Sequence, residues 1–181
     1  ARVATPAYLA HAGGRTGCGG FMPDRKRITL DRTDRAIVRE LQANGRITNV
    51  ELAARVGLTA PPCLRRVRTL EETGVVKGYH AAVDRLALGW AVMVFAMVSL
   101  RSQADADLRA FELYAQAFRE VREIHMLNGE IDFLLKVVAP DLPSFQDFLV
   151  RNLLTAPNVA GVKTSITIRS TKDEPGVPVP D

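Results

Sequence analysis

Residues that carry covalent or metal chemistry are scarce in this chain. Two cysteines, Cys18 and Cys63, stand 45 positions apart in 181 residues. That spacing makes neither a disulfide framework nor a zinc site, and a reducing, cytoplasmic setting is the expectation. The three histidines are isolated from one another; no acid partner at short spacing is expected for His80 or His125, and His11 falls in the leader. No apolar run nears the ~18 residues of a membrane-spanning helix; the longest is Trp90–Val98. The glycine-rich stretch Gly13–Gly20 lacks the flanking strand and helix of a phosphate-binding loop, and the Gly-Lys-Ser/Thr that ends one. A metal centre, a cofactor and an acid–base pair are therefore not expected.

Charge is present but uneven. The net charge is +4. Residues 22–86 hold 13 Lys/Arg against 8 Asp/Glu, and residues 87–181 hold 9 against 12. A basic first half joined to an acidic second half points to a polyanion met by the first half alone.

Residues 1–29 follow no helix or strand period and read as a leader or arm. Met22, followed by Pro23-Asp24-Arg25-Lys26-Arg27 and then a helix entry, is the expected natural start. From Asp31 the period is helical, with Ile37, Val38 and Leu41 as a stripe and Asn44-Gly45 as the stop. Thr48 and Glu51 fit a capping box ahead of a short helix carrying Leu52, Ala53 and Val56. Thr59 is placed to cap a third helix with Pro61 and Pro62 in its first turn, where a missing N–H costs little. Its expected buried stripe is Leu64, Val67 and Leu70, with Cys63 as a packed core thiol. Val75–Tyr79 reads as an extended, basic wing. Residues 30–80 thus read as a winged helix-turn-helix. A generic helical bundle would mix signs on its solvated face. Here Arg65, Arg66 and Arg68 point outward, and acids appear only at Glu71 and Glu72. Positive charge near a helix N-terminus opposes the macrodipole, an arrangement that phosphates would compensate.

After a linker at 81–89 the pattern changes. Trp90–Leu100 reads as a strand and Asp105–Arg119 as a helix. Val121–Leu127 reads as a strand, and Asn128-Gly129 as a type I′ hairpin turn. Glu130–Ala139 is the returning strand. Asp141–Leu154 reads as a helix with Leu142, Phe145, Phe148 and Leu149 inward. In a last strand, Val159–Arg169, Val162, Ile166 and Ile168 oppose Lys163, Ser165 and Thr167. The order β-α-β-β-α-β is ferredoxin-like and spans 90–172, with 173–181 as a tail. The fold class is therefore α+β. The first strand is apolar on both faces, since Trp90, Val92, Val94, Ala96 and Val98 alternate with Ala91, Met93, Phe95 and Met97. Two helices cover one face of a sheet, so the other is expected to meet a second copy of the chain.

Leu30-Asp31-Arg32-Thr33-Asp34-Arg35-Ala36-Ile37, Gly45–Ala53, Arg55–Thr59, Pro62–Glu71 and Gly74–Tyr79 closely resemble the leucine-responsive/asparagine regulator (Lrp/AsnC) family of prokaryotic transcription factors. His125–Lys136 is similar to that family's ligand-sensing domain. The likeness runs from about Leu30 to Lys172. It implies a regulator that binds double-stranded DNA as a homodimer, assembling further into octamers or similar rings. It also implies an amino acid or related effector bound where dimers meet, and action at the nucleoid. The third helix is expected in the major groove, with Thr59, Pro61, Pro62, Arg65, Arg66 and Arg68 at or near base edges. Arg46, Lys77 and the arm Arg25-Lys26-Arg27 are expected on phosphates. Arg65 stands where the family commonly has an acid, and Pro61 where it has a hydroxyl residue, so no consensus operator carries over. For the effector, the resemblance points to Met126, Gly129, Glu130, Asp132, Leu142, Ser165, Ile166 and Thr167. Glu130 is longer than the family's usual aspartate, which leaves effector identity open.

Two other readings stand beside this one. One is a DNA-organising protein with little ligand response. The other is an enzyme with an amino-acid-sensing module, which would need a nucleophile–base pair, a metal cluster or a cofactor loop that the sequence does not offer.

Overall fold

The computed structural model describes residues 28–174 and 176–180. The expected start at Met22, the basic arm Arg25-Lys26-Arg27 and Cys18 lie outside them. The chain divides into two units. One holds the residues up to Tyr79 together with those from Val177 onward, and the other holds His80–Gly176.

The first unit has three helices, α1 (Arg32–Ala43), α2 (Asn49–Arg55) and α3 (Ala60–Glu72). Asp31 caps α1, accepting from the Asp34 N–H at 2.7 Å, and the Asp34 carboxylate accepts in return from the Asp31 N–H. That is a capping box built from two aspartates. Thr48 and Glu51 form the expected box at α2. Thr59 occupies the N-cap of α3, but its hydroxyl makes no capping bond. The entry to α3 is held instead from α2, where Asn49 Nδ2 donates to the Ala60 carbonyl at 2.9 Å. Pro61 and Pro62 sit in the first turn. Ile37, Leu52, Ala53, Cys63 and Leu70 are the buried core. Cys63 is fully buried, whereas Leu64 is exposed, so the inward stripe of α3 runs through Cys63, Val67 and Leu70. At Gly74 the backbone turns left-handed, φ +73°, a conformation that glycine adopts without the Cβ penalty. No strand forms at 75–79. Val75 and Val76 pack on the core instead, and the Val76 N–H donates to Leu70 O at 3.0 Å.

The second unit is a four-stranded antiparallel sheet in the order β2-β3-β1-β4. Its strands are β1 (Val92–Leu100), β2 (Val121–Met126), β3 (Phe133–Ala139) and β4 (Val159–Ile166), with helices α4 (Asp105–Gln116) and α5 (Leu142–Phe148). This is the ferredoxin-like order. The helices cover one face, where Val94, Ala96, Val98, Phe133 and Leu135 of the sheet share a core with Phe111 of α4 and Phe148 of α5. The Phe111 and Phe133 rings lie 4.9 Å apart. The helix expected to reach Leu154 changes at Phe148 into a π-helical turn, Leu149–Leu153, and Tyr114 Oη donates to the Asn152 carbonyl there. Leu142, expected inward, is exposed because it opens α5 before that helix reaches the core. The last strand ends three residues short of Arg169. Ile168 is fully exposed and Ile166 half exposed, since an edge strand outruns the helices that cover the sheet.

Candidate nucleic-acid interface and effector loop

On α3 the arginines divide. Arg66 Nη1 reaches both Asp31 Oδ2 and Asp34 Oδ1 at 2.7 Å, so the two residues that cap α1 also neutralise α3. The pairing raises the Arg66 pKa, and the Asp34 N–H together with the guanidinium lowers that of Asp31. The expected uncompensated row of guanidinium groups therefore shrinks. Its acids come from α1, some thirty residues away in sequence, where α3's own spacing gives no sign of them. Arg65 and Arg68 stay exposed and form no ion pair among the described residues. The same holds for Arg46 and Lys77. Thr59 and Pro61 are exposed and Pro62 half-buried at the start of α3. The structure thus gathers Thr59, Pro61, Pro62, Arg65 and Arg68 on one helix.

Wing position is fixed by Tyr79. Its hydroxyl donates to Glu71 Oε1 at 3.0 Å, and its ring packs near Gly45, where a Cβ would stand 3.4 Å from Cδ1. Burial, then the bond to Glu71, pushes its pKa up to about 12.

The hairpin loop departs from a two-residue turn. Met126 pairs with Phe133, and the six residues between them are closed by the Leu127 N–H on the Asp132 carbonyl at 2.8 Å. Neither Asn128 nor Gly129 has positive φ, which a type I′ turn requires. Asp132 is the reason. Its N–H donates to Val98 O at 3.0 Å, and its carboxylate accepts from the Leu100 N–H at 2.7 Å. Asp132 is therefore drawn into the end of β1, 6% exposed, and the chain needs a wider loop to reach it. Met126, Gly129 and Glu130 remain exposed. Glu130 Oε1 meets Lys163 Nζ of β4 at 3.2 Å.

The other expected effector residues lie elsewhere. Val98 faces both Phe133 and Val162, which sets the hairpin end of the sheet. Ser165, Ile166 and Thr167 are three to five residues further along, roughly 10–17 Å at the rise of a strand. Leu142 follows Ala139, which pairs with Val92, and so lies at that far end as well. One copy of the chain does not bring Gly129 and Glu130 together with Leu142 and Thr167.

The face of the sheet away from the helices carries Met93, Phe95 and Met97, flanked by Leu134, Lys136, Lys163 and Ser165 through the strand register. Among the described residues no helix covers it. Glu123 joins Lys136 at 2.9 Å there and, against the expectation of no acid partner for His125, meets that ring at 3.1 Å, because alternate residues of a strand share one face; these contacts, led by Lys136, lower its pKa. A concavity of about 1060 Å³ opens on this side, lined by Trp90, Met93, Phe95, Arg122 and Thr167 among others. Thr167 Oγ1 is buried and has no partner among the described residues. The sequence reading did not single out Arg122 or Glu123. Their only signal was the alternation of Val121–Leu127, which sets which side each residue takes.

Comparison with known proteins agrees with this geometry. Residues 30–77 match the winged helix-turn-helix DNA-binding family, and residues 93–177 the Lrp/AsnC ligand binding domain. The chain is 54% identical over 147 residues to the leucine-responsive regulatory protein of Rhizobium meliloti (strain 1021), covering 81% of this chain and 94% of that protein. It is 39% identical over 143 residues to the protein of the same name from Escherichia coli (strain K12), covering 79% and 87%. A Neisseria meningitidis transcriptional regulator, solved as an L-Met complex, superposes with a TM-score of 0.78 at 35% identity, covering 83% of this chain and 97% of that one. The two family matches together span the helix-turn-helix and the sheet-bearing unit, and the chain belongs to the Lrp/AsnC family of DNA-binding transcriptional regulators.

Proposed function

We propose that this regulator reads double-stranded DNA through the N-terminal half of α3. Thr59, Pro61 and Pro62 approach base edges, and Arg65 and Arg68 contact bases or phosphates. Arg46, Lys77 and the arm Arg25-Lys26-Arg27 hold the backbone. The observation that carries this reading is the division of the α3 arginines. Arg66 is satisfied within the protein, while Arg65 and Arg68 are exposed and unpaired among the described residues. The test is a gel-shift titration at fixed salt, using a duplex selected from a random pool. Arg65→Ala should weaken binding, and affinity of the parent protein should fall steeply with salt. An Arg65→Ala, Arg68→Ala double variant that binds unchanged removes α3 from the reading role.

The effector is an amino acid or a close relative, held at the 127–132 loop. The exposed backbone of Asn128 and Gly129 receives its carboxylate, and Glu130 its ammonium group. Because Leu142, Ser165, Ile166 and Thr167 stand at the other end of the sheet, they complete such a site only when they come from another copy. The open face of β1 supports a homodimer, since Met93, Phe95 and Met97 need a cover that the described residues do not supply. Dimers then assemble to a ring such as an octamer, which works in the cytoplasm at the nucleoid. A thermal-shift screen of the common amino acids tests the effector, because a ligand of the folded state raises Tm by mass action. Sedimentation tests the assembly, and a stable monomer overturns it.

A further inference from the structure

The C-terminal segment does not trail from the sheet. The chain leaves the first unit after Tyr79 and rejoins it at Val177. Gln42, near the end of α1, meets Val177 with both ends of its amide. Nε2 donates to the Val177 carbonyl at 3.0 Å, and Oε1 accepts from the Val177 N–H at 2.8 Å. A side-chain amide here pairs with one peptide unit much as a neighbouring strand would. Arg39, three residues earlier and on the same side of α1, donates to the Pro180 carbonyl at 3.4 Å. Val179, between these two anchors, is half-buried, whereas the Val177 side chain is 73% exposed. All three anchoring contacts read backbone. Pro178 and Pro180 fix φ along the segment and reduce the entropy lost on docking. Gly176, at φ +83°, makes the bend that leads into it.

We propose that α1 carries a binding site for the chain's own C-terminus, with Gln42 and Arg39 as its backbone-reading residues and Val177–Pro180 as the occupant. The DNA-binding unit is thereby joined to the rest of the chain by two tethers instead of one. The second is short. Ten residues lie between Ile166, the end of β4, and Val177, and the eleven steps across them span at most about 40 Å when fully extended. Docking therefore limits how far the helix-turn-helix unit moves independently, and release of the tail removes that limit. The inference stands apart from the effector reading, because it uses none of the same residues.

Two tail variants test it, and both leave α1's own sequence untouched. Val177→Pro removes the N–H that Gln42 accepts, while Val177→Ala keeps it and trims only an exposed side chain. Amide hydrogen exchange of the full chain, read by mass spectrometry, follows peptides from the end of α1 and from β1. Val177→Pro should speed exchange in the last turn of α1 at least twofold, with β1 unchanged, and Val177→Ala should match the parent protein. Parent-like exchange in Val177→Pro overturns the docking. Equal acceleration by both variants overturns the claim that the peptide unit is what α1 reads.

Discussion

The Asp132 carboxylate accepts a hydrogen bond from the Leu100 backbone N–H at 2.7 Å, in the interior of the sheet-bearing unit. The bond satisfies a β1 donor next to the register shift at Ser99/Leu100. Asp132→Ala leaves that N–H buried and unpaired, at a cost of about 1–3 kcal/mol. Asp132→Asn retains an acceptor and should lose less. Urea denaturation separates the two variants. If Asp132→Ala keeps parental stability and loses only its effector response, the residue serves the ligand and not the sheet.

Arg65 and Arg66 are neighbours with opposite expected phenotypes. Arg65→Ala should lower DNA affinity by about 1–3 kcal/mol if it reads a base, with little change in Tm. Arg66→Ala breaks two contacts that tie α3 to the cap of α1, and should lower Tm more than Arg65→Ala does. Parallel gel shifts and melting curves on both variants decide this. Equal loss of DNA affinity with unchanged Tm in both would return Arg66 to the reading surface.

Tyr79 should titrate late. Its pKa rises from an ordinary 10.0 to about 12, so its protonated form is favoured in the fold. The stability this contributes is fully present below pH 10 and disappears as the pH climbs through about 12. Absorbance at alkaline pH should show a tyrosine ionising at about pH 12, and Tyr79→Phe should remove that step.

Glu123 contributes to stability on the acid side. Its pKa lies below the ordinary 4.5, held down first by Lys136 and then by His125. The resulting stability is complete above about pH 4.5 and is lost as the pH falls through the lowered value. Glu123→Gln should flatten the acid limb of the stability profile and leave neutral DNA binding unchanged. A steeper acid limb in the variant would contradict the pairing.

Much of the architecture was legible because period and punctuation agree. Thr48 and Glu51 announced a helix start, and the structure has both halves of that box. The two-faced β1 announced a sheet whose helices cover one side. The errors share a cause, which is a partner distant in the chain. Asn128-Gly129 predicts a tight turn when read locally, but Asp132 is held by Leu100, 32 residues away, and the loop widens to suit. Arg66 reads as an exposed cation until α1 folds beside it. Leu64 reads as inward because it stands three residues before Val67, but Cys63, four residues before Val67, takes that place on the stripe and leaves Leu64 exposed. The Asp31–Asp34 box was within reach of the sequence, because its spacing matches that of Thr48 and Glu51, with an aspartate in place of each usual residue. The return of the tail to α1 was not, since no local pattern encodes a backbone read by a glutamine.

The central place of β1 between β3 and β4 also sets an order of events during synthesis. Val98 must wait for Val162, so the sheet closes only once 64 further residues have been made. The three helices before it bury their core through neighbours close in sequence and need no such delay, and contacts of short range form faster. The three helices therefore pack while the ribosome is still making the sheet, yet the unit they form is finished last of all, when Val177–Pro180 emerge and settle on α1.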